Sequence, residues 1–174
     1  MTPNPTNKPN PAKELMRDTP RQASCTEAMK KTILVVDDDP QIRESLRRVL
    51  RAEGYEVVLA ENGQEGIGIF YTVQLDLLLL DVSLPDISGW DVFGTVTSTN
   101  PFLPIIIIIT GKDEQHDLAV LGGVGALIEK PLDVPRLLET VKELLAEPPE
   151  VHLHRLAGRR NVLHYKSRRA GGMT

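Results

Sequence analysis

Alternation between short apolar runs and helical periodicity, repeated five times between residues 32 and 146, predicts an α/β fold: a doubly wound domain around a five-stranded parallel sheet. Two further observations support this. Five consecutive isoleucines, Ile105 to Ile109, are apolar on both faces, as a central strand of a parallel sheet must be. Polar residues (Asp37, Asp81, Thr110 and Lys130) then stand at the C-terminal ends of the apolar runs, the edge where ligands bind in such sheets.

The first strand is Ile33-Leu34-Val35-Val36, rich in β-branched residues and ended by Asp37-Asp38-Asp39. Pro40 suits a first helical position with Asp39 as N-cap. Ile42, Leu46, Val49 and Leu50 form one apolar stripe of that helix, and Gly54 ends it. A second strand follows over 56–60. Asn62-Gly63 then turns the chain into a helix ending near Tyr71, which Gly66 and Gly68 each weaken by about 1 kcal/mol relative to Ala. The third strand, over 75–80, ends at Asp81, and the third helix covers 89–98 with Trp90, Phe93 and Val96 as core. The fourth strand covers 104–109. A fourth helix is expected over 113–121, cut by Gly122-Gly123, and a fifth strand over 125–129. Asp133 caps the fifth helix, whose stripe is Val134, Leu137, Leu138, Val141, Leu144 and Leu145. Right-handed crossovers place helices on both faces and all strand C-termini along one edge. Pro148-Pro149 is expected to stop the last helix; the segment beyond has Leu153, Leu156, Val162 and Leu163 but no sustained period.

The 174 residues suit one domain, with 41% hydrophobic and 25% charged residues excluding wholesale disorder. Cys25 alone rules out a disulfide framework. No apolar run approaches the roughly 18 residues of a membrane span, so no membrane partner and a cytoplasmic location are expected. Charge is segregated. Residues 32–146 hold 8 Lys/Arg against 19 Asp/Glu, a net −11, whereas residues 1–31 carry +3 and residues 147–174 carry +4. Three parts are therefore expected: a Pro/Asn-rich disordered leader over 1–31, a folded domain over 32–146, and a basic tail over 147–174 with no independent core. Met29 offers an alternative translation start to Met1.

At the strand C-termini, three carboxylates in one place repel one another unless cations compensate. Lys130 supplies one positive charge. A divalent ion supplies the rest, and hard carboxylate oxygens favour Mg²⁺ shared with a phosphoryl group. With the Thr110 hydroxyl added, the set reads as a phosphoryl-handling site.

Together with the chain order, these residues resemble the receiver domain of two-component response regulators. The resemblance is carried by Ile33-Leu34-Val35-Val36-Asp37-Asp38-Asp39-Pro40, Leu78-Leu79-Leu80-Asp81 with Pro85 and Gly89, Thr110-Gly111, and Glu129-Lys130-Pro131, and it covers residues 32–146. It implies a flavodoxin-like (βα)5 fold with strand order 2-1-3-4-5. It also implies that Asp81 accepts a phosphoryl group from a sensor histidine kinase or phosphotransfer protein. Asp37, Asp38, Asp81 and the backbone carbonyl of Ser83 would hold Mg²⁺. Lys130 and Thr110 would contact the phosphoryl oxygens, with Ser83 and Lys112 tuning its lifetime. Output to a downstream protein would pass through the face made by the fourth helix, fifth strand and fifth helix. Leu127 departs from the family, standing where receivers usually place a Phe or Tyr three residues before the lysine.

The blander reading of Asp37, Asp38 and Asp39 is a solvated helix cap, which accounts for Asp39 but not for Asp81 and Lys130. His152, His154 and His164 lack the ligand framework of a metal site. The sequence therefore points to a phosphorylation-controlled binding module rather than an enzyme, with catalysis limited to Mg²⁺-dependent self-phosphorylation and dephosphorylation. A phosphohydrolase would need a carboxylate two residues after Asp81, where Ser83 stands. The other rival is a DNA-binding or scaffold protein working through Arg155, Arg159, Arg160, Lys166, Arg168 and Arg169; without a helix-turn-helix, a nucleic-acid partner is the less favoured expectation.

Overall fold

The computed structural model describes residues 30–99, 103–111, 123–156 and 163–165. Residues 1–29 of the expected leader over 1–31, the expected helix over 113–121 with Lys112, and most of the basic tail lie outside these residues. In chain order the elements are β1 (Thr32–Val36), α1 (Pro40–Ala52), β2 (Glu56–Ala60), α2 (Gly63–Thr72), β3 (Leu77–Asp81), α3 (Gly89–Thr99), β4 (Ile105–Thr110), β5 (Val124–Glu129), α4 (Val134–Leu145), α5 (Pro149–Leu156) and β6 (Leu163–Tyr165). Thus α4 is the expected fifth helix.

The parallel sheet has the order β2-β1-β3-β4-β5-β6, the expected 2-1-3-4-5 with one further strand at the β5 edge. Alternate residues of each strand feed two cores. On one face Ile33, Val35, Leu77, Leu79, Ile107 and Ile109 pack with Leu46 and Leu50 of α1 and with Leu137, Val141 and Leu144 of α4. On the other, Leu34, Val36, Leu78, Leu80, Ile106 and Ile108 pack with Phe70 of α2 and with Val92, Phe93 and Val96 of α3. Each fully buried Leu or Ile contributes roughly 1.5–3 kcal/mol of transfer free energy, so the central strands form the rigid platform for the strand ends.

Local signals explain the helix starts. Asp39 accepts from the amides of Gln41 and Ile42, with Pro40 in the first turn. Asp133 accepts from the Arg136 amide, with Pro135 in the first turn. In β5 the register slips between Ile106 and Ile107, leaving Gly125 as a bulge residue. The bulge turns Val124 onto the same face as Leu127, while Ala126 and Ile128 face the opposite core.

The segment after Pro148 differs from expectation. Pro149 does not merely end a helix but opens α5, since proline fits a first turn where its missing N–H has no partner to lose. Beyond it, β6 pairs parallel with β5, Ala126 opposite Leu163 and Ile128 opposite Tyr165. Elements of eight and three residues are too short to show a hydrophobic period. Among the described residues, no helix is long and apolar enough to cross a membrane.

The two glycines inside α2 are not equivalent. A Cβ on Gly68 meets open space, whereas one on Gly66 falls 2.9 Å from a Val36 methyl in the buried sheet. Gly68→Ala is expected to stabilise the chain by about 1 kcal/mol. Gly66→Ala should destabilise it, because overpacking typically costs about 1–3 kcal/mol. Urea unfolding midpoints moving in opposite directions would check this.

Candidate functional site

Parallel pairing brings the ends of β1, β3, β4 and β5 to one edge. Asp37 follows β1, Asp81 ends β3, Thr110 ends β4 and Lys130 follows β5. Asp37, Asp81 and Thr110 are buried, at 0%, 1% and 1% exposure, whereas Asp38 is exposed. Carboxylate oxygens of Asp37, Asp38 and Asp81 all lie within 4.8 Å of one another. The Lys130 Nζ donates to Asp81 Oδ2 at 2.6 Å and stands 3.2 Å from Asp37 Oδ2.

These contacts leave an imbalance. Asp81 Oδ1 accepts from the Ser83 amide at 3.3 Å, and Asp37 Oδ1 from the Asp39 amide at 2.9 Å. Asp37 Oδ2, although buried and near the lysine charge, has no aligned hydrogen bond. Burial pushes the Asp81 carboxyl above the usual carboxylate range, and the Asp37 charge pushes in the same direction; Lys130 and the Ser83 amide oppose them without prevailing. Burial also works against the Lys130 charge, but there the Asp81 hydrogen bond and both carboxylates prevail and hold its pKa above the usual lysine value. The asymmetry is physical: the lysine side chain keeps 28% exposure and some hydration, whereas Asp81 keeps 1%.

A buried carboxylate oxygen without a hydrogen bond, beside two further carboxylates, fits a hard divalent cation. Asp37, Asp38 and Asp81 are the side chains that would hold it. The supports around them are specific. The Lys130 amide donates to the Thr110 carbonyl at 2.8 Å, fixing the end of β5 to β4, and the Thr110 hydroxyl donates to the Gly111 carbonyl at 3.2 Å. The Lys130–Pro131 bond is cis. A cleft of about 390 Å³ opens beside Lys130, between Gln41, Ile42 and Ser45 of α1 and Pro131 and Leu132. Leu127 is 7% exposed, within the core shared with α3.

Sequence reasoning overlooked two supporting residues. Arg43 Nη1 donates to the Asp37 carbonyl at 2.7 Å, and its Nη2 lies 3.8 Å from Glu61, bracing the acidic turn. Asp86 reaches across to the start of α2. Their only local signal was a charged residue at a turn or on a polar helix face. His152 of α5 contacts the Leu103 carbonyl through Nε2 at 2.7 Å and lies among no metal-binding cluster of the described residues.

The family described as response regulator receiver domain matches residues 33–142. The chain is similar to the response regulator MprA of Mycolicibacterium vanbaalenii, with 37% identity over 114 residues, 65% of this chain and 49% of the relative. It is similar to TcrX of Mycobacterium tuberculosis, described as a probable transcriptional regulatory protein, with 34% identity over 116 residues, 66% of this chain and 49% of the relative. The chain thus spans about half the length of these curated relatives. Among solved structures it resembles TrrA of Thermotoga maritima in complex with Mg²⁺–BeF, at 37% identity and a TM-score of 0.60, covering 66% of this chain and 98% of that one. TrrA in complex with the histidine kinase ThkA matches with 37% identity and a TM-score of 0.60, over 67% and 99% of the two chains.

Proposed function

Because the chain belongs to the response regulator receiver domain family, a family of two-component signalling modules, we propose that it is switched by phosphoryl transfer to Asp81 from a sensor histidine kinase or phosphotransfer protein. The observation that carries this reading is the Asp81 environment: a buried carboxylate hydrogen-bonded to Lys130 and adjoined by two more carboxylates. The TrrA complexes with Mg²⁺–BeF and with ThkA support the same cation and the same class of donor.

In this mechanism a carboxylate oxygen of Asp81 attacks the phosphorus of the donor phosphohistidine, the P–N bond breaks, and the imidazole leaves as the acyl phosphate forms. Asp37, Asp38, Asp81 and the Ser83 carbonyl would hold Mg²⁺, which would supply positive charge to offset that of the phosphoryl oxygens. Lys130 neutralises the charge of Asp81 before transfer and pairs with a phosphoryl oxygen afterwards. Arg43 and the Asp39 amide keep Asp37 in place. Thr110 presents its hydroxyl to a further phosphoryl oxygen. Leu127, buried on the α3 side, takes the place of an aromatic switch. The cleft beside Lys130 leaves the donor an approach along α1.

The domain signals by changing what it binds, with a downstream protein as target. A nucleic-acid partner for the basic segment 147–174 is the second reading, favoured by the description of TcrX as a transcriptional regulatory protein. The test of the first is incubation of the full chain with acetyl phosphate and Mg²⁺. Intact mass should rise by about 80 Da, one phosphoryl group on the nucleophile, and EDTA should prevent it. Absence of any adduct with Mg²⁺ present would overturn the reading.

A further inference from the structure

In the first turn of α2 the amides of Gly63, Gln64 and Glu65 have no helical partners, and the chain satisfies all three. The Glu65 amide donates to the Asn62 side chain at 2.9 Å, just ahead of the first helical bond, from the Gly66 amide to the Asn62 carbonyl at 3.1 Å. The other two are met from far away in sequence. Gly63 N–H donates to Asp86 Oδ1 and Gln64 N–H to Asp86 Oδ2, each at 2.9 Å. One carboxylate therefore joins the loop between β3 and α3 to the start of a different helix.

The joint is tight. Gly63 is buried against Ile87, the neighbour of Asp86, so that a Cβ there would fall 2.5 Å from an Ile87 side-chain carbon and 2.9 Å from a Val92 methyl. Lost hydration pushes the Asp86 carboxyl upward, but the Gln64 and Gly63 amides, with those of Ile87 and Asp86 itself, outweigh it and hold the group below the usual carboxylate range. The loop so fastened starts at Asp81 and contains Ser83. Of its backbone bonds, those from the Leu84 and Gly89 amides to the Val82 carbonyl are internal to the loop and the start of α3, and that from the Val82 amide runs to the adjacent Ile109 carbonyl. Among these bonds, Asp86 alone ties the loop to α2.

We propose that Asp86 is a positioning residue for the cation site: by clamping the β3–α3 loop to the α2 N-terminus, it fixes where the loop presents the Ser83 carbonyl. This rests on the proposed Mg²⁺ site. Residues that orient metal ligands without touching the metal typically change affinity about 10–100-fold when removed.

Amide chemical shifts of the ¹⁵N-labelled full chain, followed during Mg²⁺ titration without any phosphodonor, test this. Asp86→Ala should raise the half-saturating Mg²⁺ concentration about tenfold and accelerate hydrogen exchange at Gly63 and Gln64. Asp86→Asn, which keeps one acceptor oxygen, should fall between it and the parent. Asn62→Ala is the control, weakening the same helix start from the local side without touching the loop. Unchanged Mg²⁺ affinity in Asp86→Ala would overturn the proposal, as would an equal loss in Asn62→Ala, because general loosening of α2 would then suffice. A parent chain indifferent to Mg²⁺ would instead remove the cation site itself, and the positioning role with it.

Discussion

Replacing Asp81 by Asn is expected to yield a chain that unfolds at a higher temperature, takes up no phosphoryl group and loses most of its response to Mg²⁺. The gain in stability follows from the cost of the native charge. Asp81 is 1% exposed and faces the buried Asp37 carboxylate; even with Lys130 at 2.6 Å its pKa lies above the usual carboxylate range. A carboxyl whose pKa is raised by folding favours the folded state at acid pH. That contribution is complete below the unfolded pKa and is lost as pH rises through the folded one. At neutral pH the ionised side chain is therefore a net burden, and a neutral isostere relieves it. Lys130 retains Asp37 as a partner at 3.2 Å. The expected gain is about 1 kcal/mol at pH 7 without Mg²⁺, in the usual range for single stabilising changes, shrinking toward zero as the pH is lowered through the carboxylate range. Mg²⁺ reverses the comparison: at about ten times its Kd it stabilises the parent by about 1.4 kcal/mol through binding only the folded state, while the variant, with one carboxylate fewer, gains much less. Thermal unfolding of both chains with and without Mg²⁺, beside intact mass after acetyl phosphate, reads all three effects. A variant less stable than its parent in EDTA at pH 7 would show that the Lys130 pair outweighs burial.

The opposing effects explain why the site was more legible than its surroundings. Asp37, Asp38, Asp81, Thr110 and Lys130 each stand at the end of an apolar run, and a parallel sheet collects such ends along one edge without further information. The starts of α1 and α4 were legible for a local reason, since Asp39 and Asp133 bond to amides two or three residues on. What remained hidden depends on partners distant in sequence. Asp86 looks like any turn residue until α2, 22 and 23 residues earlier, is placed beside it. Gly66 and Gly68 have the same helix propensity; only Val36, on another element, separates them. The Gly125 bulge, which decides the face Val124 occupies, arises from pairing with β4. In the same way β6 has three residues and no periodicity, and becomes a strand only by pairing with β5.

Gly89→Ala should cost more stability than Gly66→Ala, about 3 kcal/mol, at the upper end of what overpacking usually exacts. A Cβ at this position would land on the Asp81 carbonyl oxygen, with the Val82 Cα at 2.7 Å and the Asp81 carbonyl carbon at 2.9 Å. All three are backbone atoms, so no rotamer change relieves the contact. Nor does β3 have room to retreat, because Leu80 pairs with Val36 on one side and Asp81 with Ile109 on the other. The start of α3 must move instead, straining the Gly89 to Val82 hydrogen bond and the burial of Val92, Phe93 and Val96. Gly94, in the same helix, separates this clash from helix propensity: it is exposed, a Cβ there meets nothing within 4 Å, and Gly94→Ala should gain about 1 kcal/mol. The melting temperatures of the two variants should move in opposite directions, Gly89→Ala falling by on the order of 10 °C. Because the displaced turn begins at the Asp81 carbonyl, Gly89→Ala should also slow phosphorylation by acetyl phosphate at temperatures where it remains folded, while Gly94→Ala should match the parent. Equal phosphorylation rates in all three chains would mean that the Asp81 carboxylate is positioned by β3 and Lys130 alone, independently of the close approach of α3.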